Sequence, residues 1–297
     1  MILKKYIVMT TIAAVSLFAA MACGDDDKED TPGGDSGTEV TLKAPPYKDV
    51  AAVLNITKSN AYGIKQLRMM ESGAYMITYE SGSGARVTRA GGDPTYEFGQ
   101  YTYSNGVFSF DNGMTISYTP SGQGCTVTIK WKNGTTIETT GTIDTSDAVT
   151  GGVMTDNLCS RPWTVEKLQV MAPVNEVKVG KVFTAPIDLH EIKVWYEDNY
   201  GKLKDQFNDN TIILGIYFDS KGLFSINYQN RDSDVGLWRW YEINKGDFVY
   251  SWNDKQKAIS LFSGSASVSF QKSPEKCILT LKGLVNGTPL EFEFTMR

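Results

Sequence analysis

Histidine is nearly absent: the 297 residues hold one, His190. HEIKV at 190–194 begins like the zinc-binding H-E-x-x-H helix but carries Val194 at the fifth position. Two imidazoles one helical turn apart hold that metal, so a zinc protease of this type is excluded. A Ser-His-Asp or Cys-His centre would have to be built on His190 alone, and no G-x-S-x-G elbow occurs. Neither a P-loop nor a G-x-G-x-x-G fingerprint follows any strand-like run. Paired carboxylates for glycoside hydrolysis are the enzyme route that residue types leave open, because the 34 acidic residues offer many pairs. The expectation is a non-enzymatic protein with no catalytic residues, no cofactor and no metal.

Basic residues are also short in number, 29 against 34 acidic. Residues 1–22 contain Lys4 and Lys5 and no acid, so without them 27 basic residues face 34 acidic ones, a net charge of −7. Phosphate backbones call for a basic face, so nucleic acid is not an expected partner. Cysteines number four. Apart from Cys23 there are three, Cys125, Cys159 and Cys277, so at most one internal pair can form. Cys159 and Cys277 are the preferred disulfide, since they fall in one proposed domain on strands that become neighbours if the sheet closes. The alternative is that all three are small buried apolar residues.

What is present begins with an address. Lys4 and Lys5 precede residues 6–22 (YIVMTTIAAVSLFAAMA), which carry no charge and end in small residues, the order of a secretory signal. Cleavage after Ala22 releases either a soluble protein with a stray cysteine or a chain whose first thiol takes a lipid. Ala20-Met21-Ala22-Cys23 resembles a bacterial lipobox, which implies that Cys23 is the lipidated first residue. Two or three acyl chains, at roughly 0.8 kcal/mol per buried methylene, hold a protein on a membrane without a spanning helix. Asp25, Asp26, Asp27, Glu29, Asp30, Asp35 and Glu39 follow, opposed by Lys28 and interleaved with Pro32, Gly33, Gly34 and Gly37. Such a composition stays solvated, so residues 23–43 are expected to form a tether. Asp25, Asp26 and Asp27 resemble the acidic export signal of surface-exposed Bacteroidetes lipoproteins, although Gly24 stands where a serine is often seen. That resemblance implies an outer-membrane protein facing the extracellular side; the other reading is a spacer without sorting information.

The remainder divides near residue 150, where 141–157 (GTIDTSDAVTGGVMTDN) lacks a sustained apolar period and reads as the end of one domain and a linker to the next. This gives an N-terminal antiparallel β module over 44–150 and a second domain over 151–297. In the first, 47–56 (YKDVAAVLNI) is expected to be a short helix. Period-two alternation follows through Tyr75, Ile77 and Tyr79, then Phe108 and Phe110, then Val127, Ile129 and Trp131. Asn105-Gly106, Asn112-Gly113 and Asn133-Gly134 suit the left-handed dihedrals of tight hairpins, so a meander is expected.

The second domain opens with Trp163 in a strand. A helix follows at Asp188, whose side chain is expected to cap the amide of Glu191, with Leu203 and Phe207 continuing the spacing beyond a break at Gly201. From residue 211 the period is two, and eight strands are expected after the one helix. An apolar face repeated over so many antiparallel strands is most easily satisfied by curling into a barrel. Trp163, the helix, YFDSKGLFSINY, LWRWYEI and the closing FEFTMR are similar to the lipocalin-like domains of Bacteroidetes lipoproteins, over roughly half the chain. The fold class is therefore mainly β: two antiparallel domains, the second an up-and-down lipocalin-like barrel with one helix after its first strand. The resemblance implies a cell-envelope location and, by analogy, capture of an apolar or amphipathic ligand; Arg161-Pro162 replace the glycine-x-tryptophan signature of eukaryotic lipocalins.

Asn230, Asp232 and Asp234 alternate as in a calcium loop, but the glycine is one position late and Tyr241 stands where a glutamate is needed, so a solvated hairpin is expected. Trp238 and Trp240 share one strand face. Facing outward they would form a platform for a sugar or a partner; facing inward they would fill or line the barrel. Trp195 and Trp252 complete the candidate ligand contacts. The leading expectation is a lipid-anchored surface protein binding a small apolar molecule or a glycan through the second barrel. The alternative is a structural or assembly subunit that contacts another envelope protein through sheet edges or the first module.

Overall fold

The computed structural model describes residues 40–58, 60–80, 95–122, 124–146, 148–174, 177–202, 211–230, 233–251, 264–285 and 288–297. Cys23, Asp25, Asp26, Asp27, Trp252 and Asp232 lie outside them. The chain is mainly β, in two closed eight-stranded antiparallel barrels.

The first barrel comprises β1 (Ala52–Ile56), β2 (Ile64–Met69), β3 (Ala74–Tyr79), β4 (Thr95–Ser104), β5 (Val107–Phe110), β6 (Thr115–Ser121), β7 (Gly124–Lys130) and β8 (Thr136–Ile143). Each strand pairs with the next, and β1 closes on β8 with Leu54 opposite Ile143. The expected meander thus becomes a barrel, which leaves it no free edge. Residues 47–56 do not form a helix. Tyr47–Val50 make a turn, in which Ala51 N–H bonds to the Tyr47 carbonyl at 2.9 Å, and β1 takes the rest because Leu54 and Ile56 are needed in the core. Asn105 and Gly106, at φ 51° and 81°, form the two-residue turn between β4 and β5. The other two Asn-Gly pairs sit in longer loops with only the glycine left-handed.

Residues 144–162 join the barrels and are not all loop: α1 (Gly152–Leu158) lies within them. The second unit then runs β9 (Trp163–Val174), β10 (Val177–Thr184), β11 (Ile187–Asp188), α2 (Leu189–Tyr200), β12 (Ile212–Phe218), β13 (Leu223–Tyr228), β14 (Ser233–Glu242), β15 (Asp247–Ser251), β16 (Gly264–Lys272), β17 (Glu275–Val285) and β18 (Thr288–Met296). Among the described residues seven strands follow α2, not eight; the eighth place in the barrel belongs to β9, which precedes it. β9 pairs with β18 along one edge. On the other it meets β12 only at Trp163 and Thr164, and then β10 from Lys167 to Val174. The cap of α2 also differs in detail: Asp188 accepts from the His190 amide at 2.8 Å, one residue earlier than expected. Gly201, at φ 87°, ends the helix, and residues 203–210 lie outside the description.

The barrels are packed together. The outer face of β2–β3 brings Met70, Ala74 and Met76 against Leu223 and Val235 of β13–β14, with Phe98 and Tyr217 in edge contact at 6.0 Å. In this apolar patch Arg68 Nη1 donates to Asp219 Oδ2, both side chains being less than a tenth exposed. Arg68 Nε has no partner among the described residues. Beside it, Glu71 accepts from the Ser220 hydroxyl and, at 3.4 Å, from its amide. The chain leading in is held too: Leu42 N–H donates to Asn157 Oδ1 at 2.9 Å and Asn157 Nδ2 to the Val40 carbonyl at 2.6 Å, with Leu42 buried in the second barrel's core. The last residues of the expected tether are therefore folded, because Leu42 has a core to enter.

Removing one partner of a buried ion pair leaves an uncompensated charge and costs about 3–5 kcal/mol. Arg68→Ala should lower stability by that order in urea unfolding, and Arg68→Met with Asp219→Asn, which keeps an acceptor for the buried Leu223 amide, should recover part of it. Burial, and next the nearby Asp219 charge, raise the Glu71 carboxyl above its ordinary value. The folded state then binds the proton more readily than the unfolded one, so this contribution is full below the ordinary glutamate pKa and is lost as pH rises through the raised one. Glu71→Gln should unfold later than wild type at pH 7, with the difference disappearing near pH 4.

Candidate functional site

The tryptophans of LWRWYEI point inward. Trp238 is fully buried, its indole Nε1 donating to the Asp219 carbonyl at 3.2 Å. Phe218, Trp240 and Phe248 meet its ring edge-on at centroid distances of 5.9, 5.2 and 5.8 Å. Trp240 is half-buried at the rim, where Nε1 donates to Thr155 Oγ1 of α1 at 2.8 Å. Trp163 Nε1 donates to the Leu158 carbonyl at the same distance. α1 thus closes the end of the barrel at which β9 begins, and it is fixed there by two indole hydrogen bonds.

Above this end the interior is filled by Phe224, Tyr250, Phe294 and their neighbours. A Cβ added to Gly236 would lie 2.5 Å from Phe224 Cε1, and one on Gly264 would press into the Tyr250 ring. Inward glycines facing large rings are how a narrow barrel fits its own side chains. Tyr250 O–H donates to the Lys282 carbonyl at 3.1 Å, and burial raises its phenol well above the ordinary value. Asp234 is not in a solvated hairpin: it lies in β14, buried, and accepts from Tyr228 O–H at 2.8 Å.

At the other end, α2 sends Leu189 and Tyr196 into the core and leaves Ile192, Trp195 and Tyr200 half-buried against it. Trp195 touches Phe183 of β10 at 6.3 Å and Tyr200 at 5.8 Å, both edge-on. Of the four candidate contact residues, the structure therefore separates Trp195 from Trp238 and Trp240, which lie at opposite ends. Trp252 is outside the described residues.

Cys159 and Cys277 are not bonded; with Cys125 they are free thiols, all three buried. Burial pushes Cys159 and Cys277 well above the usual thiol range, so they serve as small apolar core residues. His190 is exposed in the first turn of α2. Among the described residues no three His, Cys, Asp or Glu side chains gather as a metal site would need.

A polar network that runs from buried Tyr79 and Glu97 of the first barrel out to the exposed loop residues Asp111 and Asn112 had no signature in the sequence. Glu97 accepts from Tyr79 O–H at 2.7 Å and from Asn112 Nδ2 at 3.1 Å; Asp111 accepts from Tyr75 O–H at 3.1 Å and from the Gln100 amide at 2.9 Å. Burial, then the charges of Glu97 and Asp111, raise the Tyr75 phenol. All four carboxylate oxygens accept hydrogen bonds, the pattern of a satisfied structural network.

Among the described residues β10 pairs with β9 alone and stands at one end of the sheet, with β11 at the other. It flanks the place where β9 and β12 part company, and only period-two alternation with valines and lysines marked it in the sequence.

No protein-family model matches the chain, and comparison with curated proteins found no relative. Trp238→Ala should cost about 3–5 kcal/mol of stability in denaturant unfolding, as large core truncations do. Trp195→Ala, at a half-buried site, should cost about 1–2 kcal/mol.

Proposed function

We propose that this chain is a lipid-anchored, non-enzymatic protein of the outer membrane that serves as a structural or assembly subunit on the extracellular side. Cys23 carries the lipid, Asp25–Asp27 direct export to the surface, and the two barrels are the cargo. The observation that carries the assembly reading is the ring packing around Trp238 and Tyr250 inside the second barrel, beside a β10 edge that has no strand partner among the described residues. Ring-on-ring packing from Trp238 to Tyr250 takes the space a lipocalin-type ligand would need, so contact with another molecule falls to the outer surface. The packing of Met70, Met76, Leu223 and Val235 joins the barrels, a property suited to holding a partner at a fixed orientation.

A second reading rests on Trp195 and Tyr200. Two half-buried rings at the α2 end offer an amphipathic molecule or a sugar ring a surface to stack on, without entry into the core.

Cys23→Ala should leave both barrels folded and move the protein from the membrane to the soluble fraction; retention on membranes after a salt wash would contradict the anchor. Native mass spectrometry of gently extracted wild type should show a mass above that of one mature, lipidated chain, by the mass of another protein. A single chain carrying a small molecule would instead support the second reading.

A further inference from the structure

We infer that the outer edge of β10 is a docking site for an extended, acid-bearing strand of a partner protein, which adds to the second barrel's sheet. This rests on the assembly reading above and gives that contact its place.

The backbone defines the edge. Ala185 N–H donates to the Glu166 carbonyl at 2.8 Å, continuing the register in which Thr184 faces Lys167 and Val177 faces Val174. In an antiparallel strand the N–H and C=O of one residue point to the same side, and successive residues alternate. Residues 177, 179, 181 and 183 therefore bond to β9, whereas Lys178, Gly180, Val182 and Thr184 direct their N–H and C=O groups outward. Eight consecutive residues pair without a bulge, so the outward groups keep the regular spacing that an incoming strand can match. No partner for them occurs among the described residues.

Side chains point to the same place. Among the described residues, three of the five large apolar side chains that stay exposed are Val182 on β10, Val194 on α2 and Leu214 on β12, at 47%, 43% and 49%. These elements surround the part of the barrel wall where β9 has left β12. Apolar exposure gathered beside an open edge is what a strand with apolar residues on one face would cover.

Charge selects the partner. The whole chain is net negative, yet β10 (VKVGKVFT) carries Lys178 and Lys181 and no acid. Lys181 stands opposite Val170 in the ladder. Lys181 is exposed, its ammonium 5.0 Å from the centroid of Phe183. Edge lysines also discourage self-pairing, which favours a different, acidic partner over a second copy.

The test is hydrogen–deuterium exchange on the full lipidated chain in detergent, alone and with the peptide acetyl-TEVEVEVT-amide or its lysine counterpart acetyl-TKVKVKVT-amide. The amides of Gly180, Val182 and Thr184 should exchange fast alone and slow at least tenfold with the acidic peptide, with little change from the lysine peptide. Val182→Pro removes an outward N–H and no bond to β9, so it should abolish the effect while the Lys181 and Phe183 amides stay protected, which also reports that the strand has folded. In a second variant, Lys178→Glu with Lys181→Glu, the preference should switch to the lysine peptide. Protection in the absence of peptide overturns the proposal: independent of concentration, the chain covers its own edge; dependent on it, a second copy is the occupant. No response to the acidic peptide, or equal response to both, overturns it as well. A larger complex that persists with these edge amides protected in the isolated chain would sink the β10 site and leave the assembly reading standing.

Discussion

A strand can be shared by two neighbours on one edge only by dividing its length, and β9 does so. Two of its residues, Trp163 and Thr164, close the barrel on β12, after which that edge is given to β10. Trp163 is consequently both a closing residue and the floor of the core, held by the Leu158 carbonyl. The consequence at the other end is a wall that parts, with β10 on one side and β11, β12 and α2 on the other. Closure removes edges from most of the sheet, and among the described residues this division leaves β10 and β11 as its two ends.

The second constraint is the joint between barrels. Its centre combines an apolar patch with a buried ion pair, and such a pair adds little net stability over an apolar replacement while penalising any arrangement that separates its members. Arg68 comes from the first barrel and Asp219 from the second; Glu71 and Ser220 repeat the pattern beside them. Asn157 adds a third fastening, using both ends of its amide to hold the backbone at Val40 and Leu42. The leash from the expected anchor thus reaches the folded protein at α1, the same helix that closes the second barrel's floor.

Period-two alternation made the β class and most strands legible, because half-buried strands write their inward face directly into sequence. Trp163 in an opening strand was legible for the same local reason, and Gly201 was legible as a break, although it ends the helix. What failed was decided by distant partners. The YKDVAAVLNI stretch has helical spacing, but Leu54 and Ile56 are claimed by a barrel whose closing strand, β8, lies some ninety residues further on. Leu42 looked like tether until a core in the other domain received it. Asp234 looked solvated, since nothing local announces that Tyr228 will bond to it. The direction of Trp238 was a matter of register, which a single sequence leaves two-valued. Cys159 and Cys277 were the preferred disulfide pair because their strands could become neighbours on closure; the structure has the alternative, with both thiols taken up in apolar packing.

The account stands on one claim: the second barrel is filled by its own side chains and acts through its outer surface. Titration with cis-parinaric acid, followed by energy transfer from tryptophan, tests it most directly because Trp238 is fully buried in that interior. The account predicts no saturable transfer. Stoichiometric, saturable quenching of tryptophan emission by one bound molecule per chain, retained in Trp195→Ala, would show a ligand chamber inside the barrel and contradict it.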